Sequence, residues 1–292
     1  MLLNSIKKNV TLISISLASL MSFQVWADTS VWKVTKGNDH IHIGGTVHIL
    51  PPSEFPLPAE FEQAYKQSDA IVLETKLPDP SDSAFQMKVM QTMAYSNGKT
   101  IAEFLSAKTK AQLSDYVASL GADFAMFASF KPGFLVTMLT MLEAQKAQLS
   151  GEGVDIFYSK KASTDNKKIE YFETADFQMN MIAQMGVGNE ERFIKLNLEQ
   201  MQDFKGVFLG LLKAWRAGDT EQLNKLAIEP MKEDPETVKL MLTDRNKNWI
   251  KDIDKMFTDN DKEFVLVGVA HLVGDNNVLA LLKNKGYQIE KL

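Results

Sequence analysis

The feature that most restricts the fold of this chain is a small device used twice: an apolar run that closes in G-x-x-H. HIHIGG leads into GTVH (Gly45 to His48), and EFVLVG leads into GVAH (Gly268 to His271). The two histidines lie 223 positions apart (271 − 48) and make up half of the chain's four, the others being His40 and His42. A β-rich run closed by glycine reads as a strand leaving its sheet tightly. With such a strand near each end and helical spacing between, the outer strands are expected to share one sheet. In α/β sheets ligands bind beyond the carboxyl ends of the strands, so both histidines are expected to face one crevice.

The rest of the chain supports that frame. VWKVT and HIHIGG alternate around GND as a hairpin does. PPSEFPLP is a breaker-rich loop, AEFEQAYKQS has helical spacing, and AIVLETKL is a short strand; together they make a β-α-β unit. From about residue 82 to 260, SAFQMKVMQTMAY, KTKAQLSDYVASLG and PGFLVTMLTMLEAQKAQL repeat apolar residues at three and four. GEGVDIFYSKKAS continues helically after its turn residues, and KKIEYFET is a strand ending in Glu173 and Thr174. ETVKLMLTD and DRNKNWIKDIDKMF read as two helices. The closing segment runs EFVLVG (strand), VAHLVG (loop), DNNVLALLKNKG (helix, with Gly286 at its C-cap) and YQIEKL (strand). No fixed period of 20 to 50 residues recurs, so a solenoid is not expected.

Residues 1–27 read as an address. MLLNSIKKNV supplies Lys7 and Lys8, TLISISLASLM is apolar but short and serine-rich, and VWA precedes Asp28 as a small-x-small cleavage site. A cleaved secretory signal is expected, with export to the periplasm; the alternative is an uncleaved anchor that keeps the chain at the membrane surface. The remaining 265 residues (292 − 27) suit a single α/β domain over 28–292 with a helical insertion. Without the signal the net charge is −7 (30 basic minus 37 acidic), which argues against nucleic acid as a partner. Cysteine is absent, which excludes disulfide staples, thiol nucleophiles and Cys-ligated zinc.

The candidate chemistry follows from residue types. Glu74 ends an otherwise apolar run, where a carboxylate is costly unless it meets a cation or donors. Two imidazoles and a carboxylate form a common shell for a divalent ion, so His48, His271 and Glu74 are candidate ligands. A salt bridge at the sheet edge is the plainer reading of Glu74, and a turn that of each G-x-x-H. His40 and His42 share a strand face with Gly44; they either extend the metal shell or are polar positions on a half-exposed strand. MKVMQTM, MLTML and MNMIAQM offer either a pliable peptide-binding surface or, more simply, core filling.

GGTVHILP, AYKQSDAIVLETKL and GVAHLVGDNNVLALLKNKGYQIEKL together resemble the TraB/PrgY/GumN family, to which the Tiki proteases are related. GVDIFYSKKA, KKIEYFETADFQM and TDRNKNW resemble its G-V-D, L-E-T…Q and helical arginine segments, so the resemblance covers about residues 30 to 292. Two departures are YFET, where the family has Leu before Glu-Thr, and Asn277, where many members have glycine. The resemblance implies a fold like that of the erythromycin esterase and ChaN-like proteins, a mixed central sheet with helices around it. It further implies a metal-dependent, peptidase-like hydrolase whose site comprises His48, His271, Glu74 and Arg245. The ion expected is Mn, Co or Zn, and the substrate a peptide or small molecule. Arg245 would steady a developing oxyanion or a substrate carboxylate, or else pair at the surface with Asp244 or Asp252. Glu74 either binds the metal or serves as general base, with Glu173 as a further carboxylate candidate. The alternatives are a non-catalytic binder of pheromone-like peptides and a haem or iron-binding protein.

Overall fold

The computed structural model describes residues 29–292 other than 77, 80 and 259, so the expected signal segment lies outside the described residues. Two strands open the chain as the alternation requires, β1 (Val31–Lys36) and β2 (Asp39–Thr46). There follow α1 (Ala59–Gln67), β3 (Ala70–Thr75), α2 (Ser83–Met93), α3 (Ala107–Ser119), α4 (Pro132–Lys146), α5 (Val154–Thr164), β4 (Lys168–Glu173), α6 (Ala175–Gln184) and α7 (Glu190–Gln200). Then come α8 (Phe204–Arg216), α9 (Thr220–Leu223), α10 (Pro235–Val238), α11 (Asp244–Met256), β5 (Glu263–Gly268), α12 (Val278–Asn284) and β6 (Gln288–Lys291). The class is α/β, with a six-stranded mixed sheet ordered β4-β3-β5-β2-β1-β6. The outer segments do share that sheet: β5 lies between β3 and β2, parallel to both, and β6 closes the other edge against β1.

Period two sends alternate side chains to opposite faces. Phe264 and Leu266 pack with Phe61, Tyr158 and Trp215 under α1, α5 and α8. Val265 and Val267 pack with Trp249 and Leu282 under α11 and α12. A third apolar cluster joins Leu113, Leu135, Leu139 and Phe193 among the middle helices. Burying a side chain of this size stabilises by about 1.5–3 kcal/mol. Among the described residues no helix is long and apolar enough to cross a membrane.

Local chemistry sets the helix ends. Thr174 accepts from the Phe177 N–H and starts α6 directly after β4. Asn277 accepts from the Ala280 N–H and caps α12, so the departure noted there is a working cap. Gly286 stands at φ +87° with the Tyr287 N–H bonded to Leu282 O, the expected C-cap. Two expectations change. The segment after Gly268 forms a 3₁₀ turn, Val269–Leu272, rather than an irregular loop. The two helices expected around residue 240 form one helical run, because a π turn (Lys239–Thr243) joins α10 to α11. The methionines divide: Met93 and Met179 fill the core, whereas Met87 and Met90 are 61% and 51% exposed.

His42 is buried at 1% exposure, not half-exposed, and sits between Lys33 of β1 and Phe264 of β5. Neither ring nitrogen has a hydrogen-bond partner among the described residues. Burial, aided by the charges of His40 and Lys33, lowers its pKa to about 4. Between pH 6.5 and about 4 the unfolded chain therefore binds the proton that the folded chain refuses, and stability falls as pH falls. His42→Leu removes that slope. Its stability advantage over wild type is expected to grow by about 2 kcal/mol from pH 7 to pH 5. Urea unfolding at the two pH values measures it, and an unchanged gap refutes the assignment.

Candidate functional site

The parallel strands β2, β3, β4 and β5 end along one edge. Each delivers a candidate side chain there: His48 two residues beyond β2, Glu74 one residue before the end of β3, Glu173 at the end of β4, and His271 in the turn after β5. His40 and His42 lie back along β2 and take no part. The fifth member, Arg245, comes from the first turn of α11 and is 3% exposed.

Gly268 is the point of convergence. A Cβ built on it would stand 3.3 Å from Glu74 Oε1, 3.4 Å from His48 Nε2 and 3.7 Å from His271 Cδ2. Only glycine leaves that space open, so the sequence device of strand, glycine and histidine is explained at this copy by a close approach of three polar groups. The expected meeting of the two distant histidines beside the glutamate is present.

The groups around each histidine fix its ring. Asn246 Nδ2 donates to Asn276 O at 3.0 Å, which turns its Oδ1 toward His271 Nδ1 at 2.6 Å. His271 Nδ1 is then the donor and Nε2 carries the lone pair. His48 Nδ1 faces Asp155 Oδ1 at 3.3 Å, and its loop is clasped to the start of α5 by the Val154 N–H bonded to Val47 O. Oxygen acceptors behind both rings are the arrangement that orients imidazole metal ligands.

The carboxylates are held from the other side. Arg245 donates through Nε and Nη2 to both oxygens of Glu173, at 2.8 and 2.9 Å, and through Nη2 to Glu74 Oε2 at 2.5 Å. Its Nη1 reaches Met241 O and His271 Nε2, each at 3.0 Å. Gln178, one turn into α6, bridges Glu74 and Glu173 at 3.3 and 3.1 Å. Trp249 Nε1 adds a bond to Glu173 Oε1 at 2.9 Å. Arg245 therefore pairs across the sheet edge and not with its helix neighbours: Asp244 meets Lys239, and Asp252 meets Lys255. The surface pair for Arg245 gives way to a buried network, and within it Glu74 makes the sheet-edge salt bridge that was its plainer reading.

The electrostatics follow. Burial opposes ionisation of Glu74, but the imidazoles, Arg245 and the Gly268 N–H (2.7 Å from Oε1) outweigh it and hold the carboxyl at about 2. Burial lowers His271 to about 3, so near neutral pH its own charge is absent, and Arg245 together with His48 supplies the positive charge that secures Glu74. Burial likewise works against Arg245, and the Glu173 hydrogen bond with the charge of Glu74 outweighs it. At His48 burial is overcome by the Asp155 hydrogen bond and charge and by Glu74, raising it to about 9. Because 58% of that side chain is open, water screens part of the gain.

Among the described residues no three His, Asp or Glu side chains are gathered as a ready cage for an ion. His271 Nε2 and Glu74 Oε1 are 3.9 Å apart, and Arg245 takes the imidazole lone pair. The residues that could hold a divalent cation are His48, once it gives up its proton, His271, once it leaves Arg245, and the ionised Glu74, around the hollow left by a missing Cβ. Above it opens a cleft of about 310 Å³, walled by Phe208, Leu211, Met231 and Met241. Of two larger hollows, one of about 470 Å³ is lined by Glu221, Lys283 and Lys291 and one of about 450 Å³ by Glu170, Asp252 and Glu263 with Lys168 and Lys255; neither has a histidine in its lining.

Asp155, Gln178 and Asn246 had no assigned role in the sequence. Asp155 and Gln178 stand in quoted segments, and Asn246 directly follows Arg245. Adjacency to Arg245 is the signal for Asn246, whereas Asp155 and Gln178 are the Asp and Gln of the G-V-D and E-T…Q segments quoted for the resemblance.

A model of the TraB/PrgY/gumN family matches residues 30–291. The chain is 22% identical over 250 residues to the uncharacterized protein YbaP of Escherichia coli (strain K12), covering 85% of this chain and 89% of that one. The uncharacterized protein YbaP of Shigella flexneri is similar to the same extent. No solved structure gives a significant match.

Proposed function

The chain belongs to the TraB/PrgY/gumN family, and on that premise we propose that it is an exported, divalent-metal-dependent hydrolase that cuts peptides in the cleft above Gly268. The observation that carries the reading is the convergence of His48 Nε2, Glu74 Oε1 and the His271 ring on one point. His48 and His271, through Nε2, and Glu74, through Oε1, would hold Mn²⁺, Co²⁺ or Zn²⁺. When bound, such an ion polarises a carbonyl and acidifies a water.

The chain's own groups do the rest. One lone pair serves one partner, so loading the site requires His271 Nε2 to leave Arg245, which frees an Nη1–H. Arg245 lines the cleft, and that N–H would be the donor available to a developing oxyanion. Glu173 and Trp249 keep the guanidinium in place meanwhile. Glu74 has a second use as general base should the histidines alone bind the ion.

Elemental analysis of untagged protein is expected to give one equivalent of metal, and His48→Ala and His271→Ala are each expected to abolish it. Metal content that survives both substitutions refutes the shared site. The apolar cleft wall also favours a second reading, a peptide binder without catalysis. Mass spectrometry separates the two: new fragments support hydrolysis, and a saturable complex with an intact peptide supports binding alone.

A further inference from the structure

We infer that the substrate is gripped through an apolar side chain next to the reacting bond, in a trough that leads from the cleft along α8. This deepens the peptide reading above and rests on it for the identity of the ligand. Phe208 and Leu211 line the reaction cleft and also a second hollow of about 180 Å³. The two spaces are thus walled by the same helix face. Phe204, Val207, Phe208 and Leu211 follow the i, i+3, i+4, i+7 spacing of one helical stripe. Such a stripe normally faces the core, yet Val207 is 38% exposed.

Polarity divides sharply between the two spaces. The charged and titratable groups of the cleft are the site residues themselves, His48, Glu74, Arg245 and His271. The second hollow is lined by no charged side chain; from α4 and α7 it receives the neutral Thr140, Asn197 and Gln200. A charged substrate residue placed there would lose water and gain no counter-ion. An aliphatic or aromatic one would lose only contact with water. The occupant that fits is therefore an uncharged, apolar stretch of peptide whose polar backbone reaches the charged floor.

The helix that carries the stripe is fixed to the reaction centre. Trp215 Nε1 donates to Gly45 O at 2.7 Å, and Ser30 Oγ donates to Trp215 O at 2.8 Å. Gly45 opens the turn that presents His48. A side chain seated on α8 is thereby held in register with the polar floor, which is how remote binding contributes to reaction.

The test reads binding apart from catalysis. Fluorescein-labelled Ala-Ala-Phe-Leu-Ala-Ala and its Ser-Ser counterpart are titrated by anisotropy against the chain without its signal segment, in EDTA. Wild type is expected to prefer the Phe-Leu peptide about tenfold. Leu211→Ser and Val207→Ser are each expected to reduce that preference to about twofold or less. Val207 is exposed enough that its variant keeps the wild-type melt, so a fold defect in Leu211→Ser leaves the test intact. A wild type without preference, or variants that keep it, overturns the trough. A dimer dissociated by Val207→Ser, with no peptide preference, assigns the stripe to a second copy and also overturns it. Tight, selective binding in EDTA with no cleavage after Mn²⁺ is added supports the trough and removes the hydrolase reading instead.

Discussion

Gly268→Ala is expected to weaken Mn²⁺ binding by about a hundredfold or more while the melting temperature moves by only a few degrees. The backbone there is ordinary, with φ −50° and ψ 133°, so alanine meets no conformational barrier. Its methyl group would sit 3.3 to 3.4 Å from Glu74 Oε1 and His48 Nε2, a contact that needs shifts of tenths of an ångström. The fold tolerates that. The space where the three donors face one another does not survive it. Calorimetric titration with Mn²⁺ beside a thermal melt measures both quantities. Retained affinity would move the ion elsewhere, and a collapsed melt would make Gly268 a packing residue.

Arg245→Met carries the largest expected cost in stability, about 3–5 kcal/mol, because it strands two carboxylates beside each other out of water. Glu74 and Glu173 are 11% and 8% exposed, and the guanidinium is the cation shared between them. Arg245→Lys keeps a charge but loses the planar fork that engages both oxygens of Glu173, so it should recover only part of the loss. Adding Glu173→Gln to Arg245→Met should cost less than the sum of the two single changes, since each removes the other's partner. Urea titrations of the four proteins give the coupling. A loss below about 1 kcal/mol in Arg245→Met would mean the network is open to solvent in solution.

Much of this centre is legible in the sequence. The apolar runs before Gly45 and Gly268 could end only as strands leaving a sheet, and Glu74 stood out because nothing around it in AIVLETKL was polar before it. Glu173 was visible only as the end of a short strand, because KKIEYFE is half-exposed and its alternation is weak. The partners of Arg245 are hidden from the sequence for a physical reason. Sequence proximity favours Asp244 and Asp252, whereas its real partners lie 171 and 72 positions away and meet it through strand order. The π turn before it has no compositional signature, so one helical run read as two. Alternation gives the face of a strand but not what covers that face, so it leaves His42 half-exposed where the fold buries it. Helical periodicity likewise placed the methionines on faces without saying whether another helix would lie over them.

The position of β5 in the sheet has a temporal consequence. It separates β3 from β2 in space, yet it is made 188 residues after β3 ends (263 − 75). Until that late segment arrives, the hairpin and the β3–β4 pair have no shared hydrogen bonds to hold them side by side, and Glu74 and His48 have no common floor. Assembly of the candidate site therefore waits for residues 263–268, and partial chains stopping short of residue 263 should lack it however well their helices form.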